Sequence, residues 1–266
     1  IAMEEIQVSS WKELFELELT DSTMFYRGQS DASWPIESSL RRHSLGTDYE
    51  EDINNREYWC LRQFVRRAPG YLERSPADGD YIAWLSLMQH HGTPTRLIDF
   101  SHSFYVACYF ALRDAKTDAA VWAIDYSWLN NIAEKSFKIK LNGLRDEWDD
   151  TIYQQTNQLL SRELETAAPS GEQCPRGVVF VDPMFSHRRL ASQQGLFLVP
   201  LDIDVSFMDN LKHHKQMHPW QFRKVVLQYG MRDEALMHLR AMNITEESLF
   251  PGLDGLAREI RDRELY

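Results

Sequence analysis

The residues from Phe104 to Leu112 constrain this chain more than any others. Phe104, Val106, Ala107, Cys108, Phe110 and Ala111 leave almost no polar side on the helix predicted over 103–112. A helix apolar nearly all round has to lie at the centre of a fold, with other elements packed on most of its sides. Asp99 or Ser101 is placed to cap it. A helix over 80–90, carried by Ile82, Leu85 and Met88, must stop at Gly92-Thr93-Pro94, because Pro94 has no amide hydrogen and disfavours helical geometry before it. Periodicity predicts further helices over 11–19, capped by Ser9 or Ser10, over 49–67 and 232–242, and after the turn Phe250-Pro251-Gly252. Short strands are expected at 24–26, 96–100, 119–124, 177–181, 196–200 and 224–227, while 31–43, with Pro35, reads as irregular or a ribbon. Helices and strands alternate without a repeating βαβ rhythm, so the expectation is a mixed α+β fold.

The 266 residues suit one large unit. The reading divides it into an N-terminal helix in 1–20 and a core over 21–205, with a polar, partly helical insertion at 135–171. A closing strand and helices over 206–266 complete the same unit. A formal net charge of -11 argues against broad, sequence-independent nucleic-acid binding, but leaves room for a local basic pocket. Cys60, Cys108 and Cys174 are odd in number and widely spaced, which suits neither a disulfide framework nor a cysteine zinc site. Ile1-Ala2 reads as two leftover vector residues before a native Met3. The acidic start lacks a signal-peptide profile, and no apolar run is long enough to cross a bilayer. The expectation is a cytoplasmic protein.

Four segments hold more polar residues and glycine than packing asks for. In Phe25-Tyr26-Arg27-Gly28-Gln29-Ser30, a charge at the end of an apolar strand needs a partner, and a guanidinium suits a phosphate or carboxylate. Gly28 allows a ligand to approach the backbone. The bland alternative is a structural Arg27 paired with an acid. In the run from Gln89 to Phe100, adjacent histidines are wrongly spaced for metal, one of them is expected to line a pocket, and Arg96 with Asp99 is expected to form a structural ion pair. Ser101-His102-Ser103 either caps the central helix or offers its N-terminus to a ligand. Gln193-Gln194 aims amides at a sheet edge, where they serve a ligand or satisfy backbone groups. The Gly-x-Ser-x-Gly elbow, phosphate-loop and dinucleotide glycine motifs are absent from the sequence.

Taken together, these segments resemble the FRG-domain family. Phe25-Tyr26-Arg27-Gly28-Gln29 matches the motif that names it, followed by Trp34 and Ser39-Leu40 with Arg42. Gln89-His90, Gly92, Pro94-Thr95-Arg96-Leu97 and Asp99, then Ala107 and Phe110-Ala111, match its most distinctive segment. Arg189 with Gln193-Gln194-Gly195 and Phe197 is similar to the third, and Leu249-Phe250-Pro251 with Leu253 to the ending. The motif order is in turn similar to that of the ADP-ribosyltransferase superfamily. That resemblance implies a short-stranded split sheet surrounded by helices, with NAD as substrate and no metal. It implies catalytic roles for Arg27, Ser101, Gln194 and Gln193, and NAD contacts from Tyr26, Gly28, Gln29, His90, Arg96, Ser103 and Tyr105. Tyr26, Tyr105 or Phe110 would stack on the nicotinamide. Where a carboxylate would stabilise the ribosyl cation, the glutamines can only hydrogen-bond, and Asp99 is another acid able to supply the charge. The implied activity is ADP-ribosyl transfer to a protein or nucleic-acid acceptor, as in a toxin or anti-phage effector with a partner antitoxin. NAD hydrolysis and a non-catalytic nucleotide or nucleic-acid sensor are the alternatives.

Overall fold

The computed structural model describes residues 3–17, 23–47, 52–137, 150–165, 176–182, 188–212 and 218–264. Along the chain come β1 (Glu4–Val8), α1 (Trp11–Glu16), β2 (Met24–Gln29), α2 (Ser39–Ser44), α3 (Ile53–Arg67), α4 (Tyr81–His90), β3 (Ile98–Ser101), α5 (Phe104–Leu112), β4 (Ala119–Asp125), α6 (Tyr126–Phe137) and α7 (Asp150–Glu165). There follow β5 (Val178–Val181), α8 (Arg188–Ser192), β6 (Gly195–Pro200), α9 (Phe207–Lys212), β7 (Phe222–Leu227), α10 (Arg232–Ala241), α11 (Glu246–Leu249) and α12 (Leu253–Glu264). The strands form one seven-stranded mixed sheet in the order β1-β7-β4-β2-β3-β6-β5. Its neighbours are antiparallel except for the parallel edge pair of β1 and β7. The fold is mixed α+β, and no described helix is long and apolar enough to cross a membrane.

Strand alternation places the apolar residues on both faces of the sheet. On one face Met24, Tyr26, Val121, Ala123, Val225 and Leu227 lie under α1, α5 and α10. Farther along that face Val179, Val181, Phe197 and Val199 lie under α3, α4 and α7. The other face carries a single cluster across both halves, with Phe25, Phe100, Trp122 and Leu198 meeting Trp128 of α6 and Phe207 of α9. The two clusters of the first face are divided where β2 meets β3. Those strands share one registered pair, Tyr26 with Ser101, whereas β2 pairs along its whole length with β4 and β3 along its whole length with β6.

The central helix is α5, buried on almost every side. Its cap is Ser103, whose Oγ accepts from the Val106 amide at 3.3 Å, rather than Asp99 or Ser101. The strand β1 is hidden in the sequence because it opens on two acids, one on each face of the strand. Glu4 and Glu5 form ion pairs with Arg223 (2.9 Å) and Lys224 (3.4 Å) of β7, which hides the apolar alternation of Ile6 and Val8. The segment 31–43 is irregular only as far as Ser38, which caps α2. Helices α6 and α9 were not foreseen, and α7 lies inside the expected insertion. Residues 18–20, 49–51, 138–149 and 166–171 of the expected helices and insertion lie outside the described residues, as does Cys174.

Gly28 sets the spacing of α5 on the sheet. A Cβ built there would stand 2.0 Å from the Ala107 carbonyl oxygen and 2.5 Å from the Ala111 nitrogen. Backbone cannot move aside as a flexible side chain can, so Gly28→Ala is expected to lower unfolding free energy by about 2 kcal/mol through overpacking. Gly230→Ala, with no atom within 4 Å of the added carbon, serves as the control and should leave urea denaturation nearly unchanged.

Candidate functional site

The sheet opens just beyond the Tyr26–Ser101 pair, and Arg27 is the next residue of β2. Arg27 crosses the opening. Its NH1 donates to the Asp99 carbonyl oxygen of β3 at 2.6 Å, an exposed edge group that a fully paired strand would otherwise satisfy. Its Nε is covered and has no hydrogen-bond partner, although the residue as a whole keeps some contact with solvent. Burial pushes the guanidinium pKa down. The neighbouring Asp99 opposes that shift and Arg42 adds to it. A cation deprived of water, with a donor left over, gains from any anion able to reach it.

Asp99 is exposed, and its carboxylate is held by a relay. Gln89 Nε2 donates to Asp99 Oδ1 at 2.8 Å, and the buried Thr95 hydroxyl donates to Gln89 Oε1 at 2.5 Å. The relay explains why α4 must break at Gly92–Pro94. The chain has to return so that Thr95 sits beside the last turn that it has just left, and Gly92 turns it there with φ +84°.

Two cavities open beside this pair, and both are lined by Arg27 and Asp99. One, of about 150 Å³, also takes in Glu37, Arg42, His43 and Gln89. The other, of about 220 Å³, takes in Tyr26, Gly28, Ser101, Phe110, Arg189 and Gln193. Burial raises the pKa of Glu37, against the pull of the Ser38 and Phe207 amides and of Arg41 and Arg42. Burial lowers the pKa of Arg189, which Asp99 opposes, and its guanidinium lies 4.6 Å from the centre of the Phe250 ring. C-terminal residues touch side chains of this lining. Gln193 Nε2 donates to the Leu249 carbonyl at 3.1 Å, and Phe110 meets Phe250 edge-on at 5.9 Å.

The structure gathers part of the sequence-derived set. Arg27, Ser101, Gln193, Tyr26 and Gly28 meet at the second cavity. Gln194 does not line it. This exposed residue takes φ +47° to turn α8 into β6, and its carbonyl accepts from the His102 amide at 2.9 Å. Of the paired amides, Gln193 is therefore the one beside Arg27. Ser101 is occupied, since its hydroxyl donates to the Gln193 carbonyl (2.8 Å) and accepts from the Ser103 amide (3.0 Å). Gly28 owes its missing Cβ to α5 rather than to a ligand. The Tyr26 ring packs in the core against Phe104, and Tyr105 packs on Trp11 and Phe104.

Gln29, His90, Arg96, Ser103 and Tyr105 line neither cavity. The Gln29 amide is taken by Trp122 Nε1 and by the Pro35 carbonyl. Arg96 is a correction on two counts, because it is wholly buried and its ion pair is with Glu57 of α3, not with Asp99. The Arg96 amide also donates to Glu57 at 2.7 Å, while its guanidinium reaches the Leu201 carbonyl (3.1 Å) and Asn54 (2.7 Å). Glu37 and His43 lie outside the family motifs, and Gln89 stands in one of them without a role. Arg42 and Arg189 stood in the quoted motifs without one.

The FRG-domain family model matches residues 22–120. Those residues are an FRG domain. No curated protein and no solved structure matches the chain. The FRG domain supplies Arg27, Asp99, Phe110 and the whole lining of the smaller cavity, whereas Arg189 and Gln193 of the larger one lie beyond it.

The buried pair gives a direct test of the scaffold. Glu57→Ala leaves the Arg96 guanidinium uncompensated in the interior and should cost about 3–5 kcal/mol in chemical denaturation. Asp99→Asn should cost less than about 1 kcal/mol, because the Asp99 carboxylate is exposed.

Proposed function

We propose that the opening between β2 and β3 binds NAD and breaks its nicotinamide–ribose bond, passing ADP-ribose to an acceptor. The observation that carries the reading is the shared border of the two cavities: a desolvated Arg27 with an unused donor, directly beside an exposed Asp99 carboxylate. Neither cavity alone reaches the few hundred Å³ usual for a small-molecule site. A ligand with two ring systems joined by a diphosphate would span both and lay its diphosphate over Arg27. Arg42 and His43 suit the phosphate side. Phe110, flanked by Arg189 and Gln193, suits a flat heteroaromatic ring. The opening in the sheet also agrees with the split-sheet architecture that the superfamily resemblance implies.

In the proposed step the bond from ribose C1′ to the pyridine nitrogen breaks heterolytically. Nicotinamide leaves with the electron pair, and an oxocarbenium-like centre develops on the ribose. Asp99, fixed by Gln89 and Thr95, supplies the negative charge that Gln193 cannot, which removes the difficulty of having no acid at the third motif. The acceptor oxygen or nitrogen then bonds to C1′ and releases its proton to solvent. A protein or nucleic-acid group as acceptor gives ADP-ribosylation, and water gives NAD hydrolysis. Such chemistry suits a toxin or anti-phage effector kept in check by a partner protein. One observation favours binding without turnover: the Ser101 hydroxyl and the Gln193 amide are already committed to backbone groups.

Nicotinamide release from NAD, measured by chromatography beside calorimetric NAD binding and repeated with cell lysate as acceptor source, separates these readings. Release is expected, and Asp99→Asn should reduce it about 100-fold to 1,000-fold while NAD affinity stays within about threefold. Arg27→Ala should weaken NAD binding itself by about tenfold or more. Binding without release selects the sensor reading. Absence of both removes NAD from the site.

A further inference from the structure

The helix α3 lies outside the cleft and has an exposed side that the chemistry above does not use. Between Ile53 and Leu72 the chain has four arginines, at 56, 62, 66 and 67, and one acid, Glu57, which is buried against Arg96. The surface of this helix is therefore cationic on a protein whose net charge is -11. Trp59, Gln63, Arg66 and Arg67 follow the spacing i, i+4, i+7, i+8 and so share one side. Arg62 stands beside them, its guanidinium 5.1 Å from the centre of the Trp59 ring, which is still 47% exposed. No described carboxylate pairs with Arg62, Arg66 or Arg67, and the Arg66 guanidinium donates to the neutral Gln63 Oε1 at 3.4 Å. Tyr71, 90% exposed, follows on the short 3-10 turn that continues the helix, and Arg74 lies just beyond. Along the chain, the nearest exposed acids among the described residues are Asp52, ahead of the helix, and Glu73.

We propose that this side of α3 binds single-stranded nucleic acid. Guanidinium groups along one helix side match the spacing of backbone phosphates, and open indole and phenol rings offer the flat apolar surface on which unpaired bases stack. An anionic membrane is the competing polyanion, but it fits less well. A membrane-surface helix inserts a continuous apolar side, whereas the apolar side of α3, with Ile53 and Leu61, is already buried in the protein. The negative charge on the rest of the chain restricts such binding to this surface and makes it sensitive to salt. The surface is independent of the cleft and does not require NAD chemistry there.

The test is fluorescence anisotropy of a labelled oligothymidylate of about 20 nucleotides titrated with the whole protein, beside co-sedimentation with vesicles of phosphatidylserine and phosphatidylcholine. Binding to the oligonucleotide is expected to weaken about tenfold between about 50 and 200 mM salt. Arg66→Glu combined with Arg67→Glu should weaken it at least about tenfold, and Trp59→Ala about fivefold to a hundredfold, the range that base stacking spans. Both variants alter exposed positions and should keep the wild-type unfolding midpoint, so a lost signal reports the surface. No binding by the wild-type protein at low salt, unchanged affinity in either variant, or binding confined to the vesicles overturns the proposal.

Discussion

The contact on which the molecule is organised is that of α5 with the backbone of β2 at Gly28. An all-apolar helix needs a surface to lie on, and β2 offers one without side-chain relief, so that carbonyl and amide atoms of the helix approach the strand directly. This brings the core under the helix to high density. It also fixes β2 against β4 on one side, while β3 is fixed against β6 on the other. The two halves of the sheet are each well determined, and the seam between them is left with one pair. Arg27 then does for the seam what a ladder hydrogen bond would have done, but with a charge. The same guanidinium that completes the backbone bonding of β3 is the group best placed to meet an anion.

Charged residues are used in three distinct ways in this interior. The pair of Arg96 and Glu57 is closed, since Glu57, Asn54 and the Leu201 carbonyl engage that guanidinium and the pair is out of reach of solvent. It ties α3 to the loop before β3 and leaves no capacity for a ligand. Arg27 is open, with a covered Nε that has no partner and two cavities beside it. A third arrangement surrounds Phe250, where Arg113, Arg189 and Arg258 lie within 5.7 Å of the ring centre. Glu246, 2% exposed, takes bonds from Tyr109 (2.9 Å), Arg113 (2.9 Å) and Arg258 (3.0 Å). That cluster holds the C-terminal residues against α5, and its Arg189 also lines the larger cavity.

Much of the scaffold was legible because it follows from local periodicity. The all-apolar Phe104–Leu112 helix, the break at Pro94 and six of the strands are all stated by residues close together in the chain. The strand β1 is hidden because its partners, Arg223 and Lys224, lie more than two hundred residues away, so its glutamates read only as an acidic start. Arg96 was misread for a similar reason. Spacing pointed to Asp99, three residues on, while the fold supplied Glu57 from another helix. Of the cavity lining, Arg27 and Gln193 stand among the residues that the sequence singles out, but which glutamine of the pair faces the cavity depends on a left-handed turn at Gln194 that an exposed polar residue does not announce. Glu37 carried no signal at all, being one acid among many until burial set it apart.

The order of strands in the sheet has a bearing on how the polypeptide acquires its shape. Strands β2 and β3, which sit at the middle, are made early, yet β3 lies against β6 and the outer side of β4 lies against β7. The first strand of all waits for the seventh. A growing chain therefore carries unsatisfied strand edges until roughly its last quarter has been synthesised, and its closure relies on contacts of long sequence separation, which form slowly. Within the stretch from 22 to 120 that bears the family signature, β3 and the start of β4 each keep one edge that is paired only by strands made later.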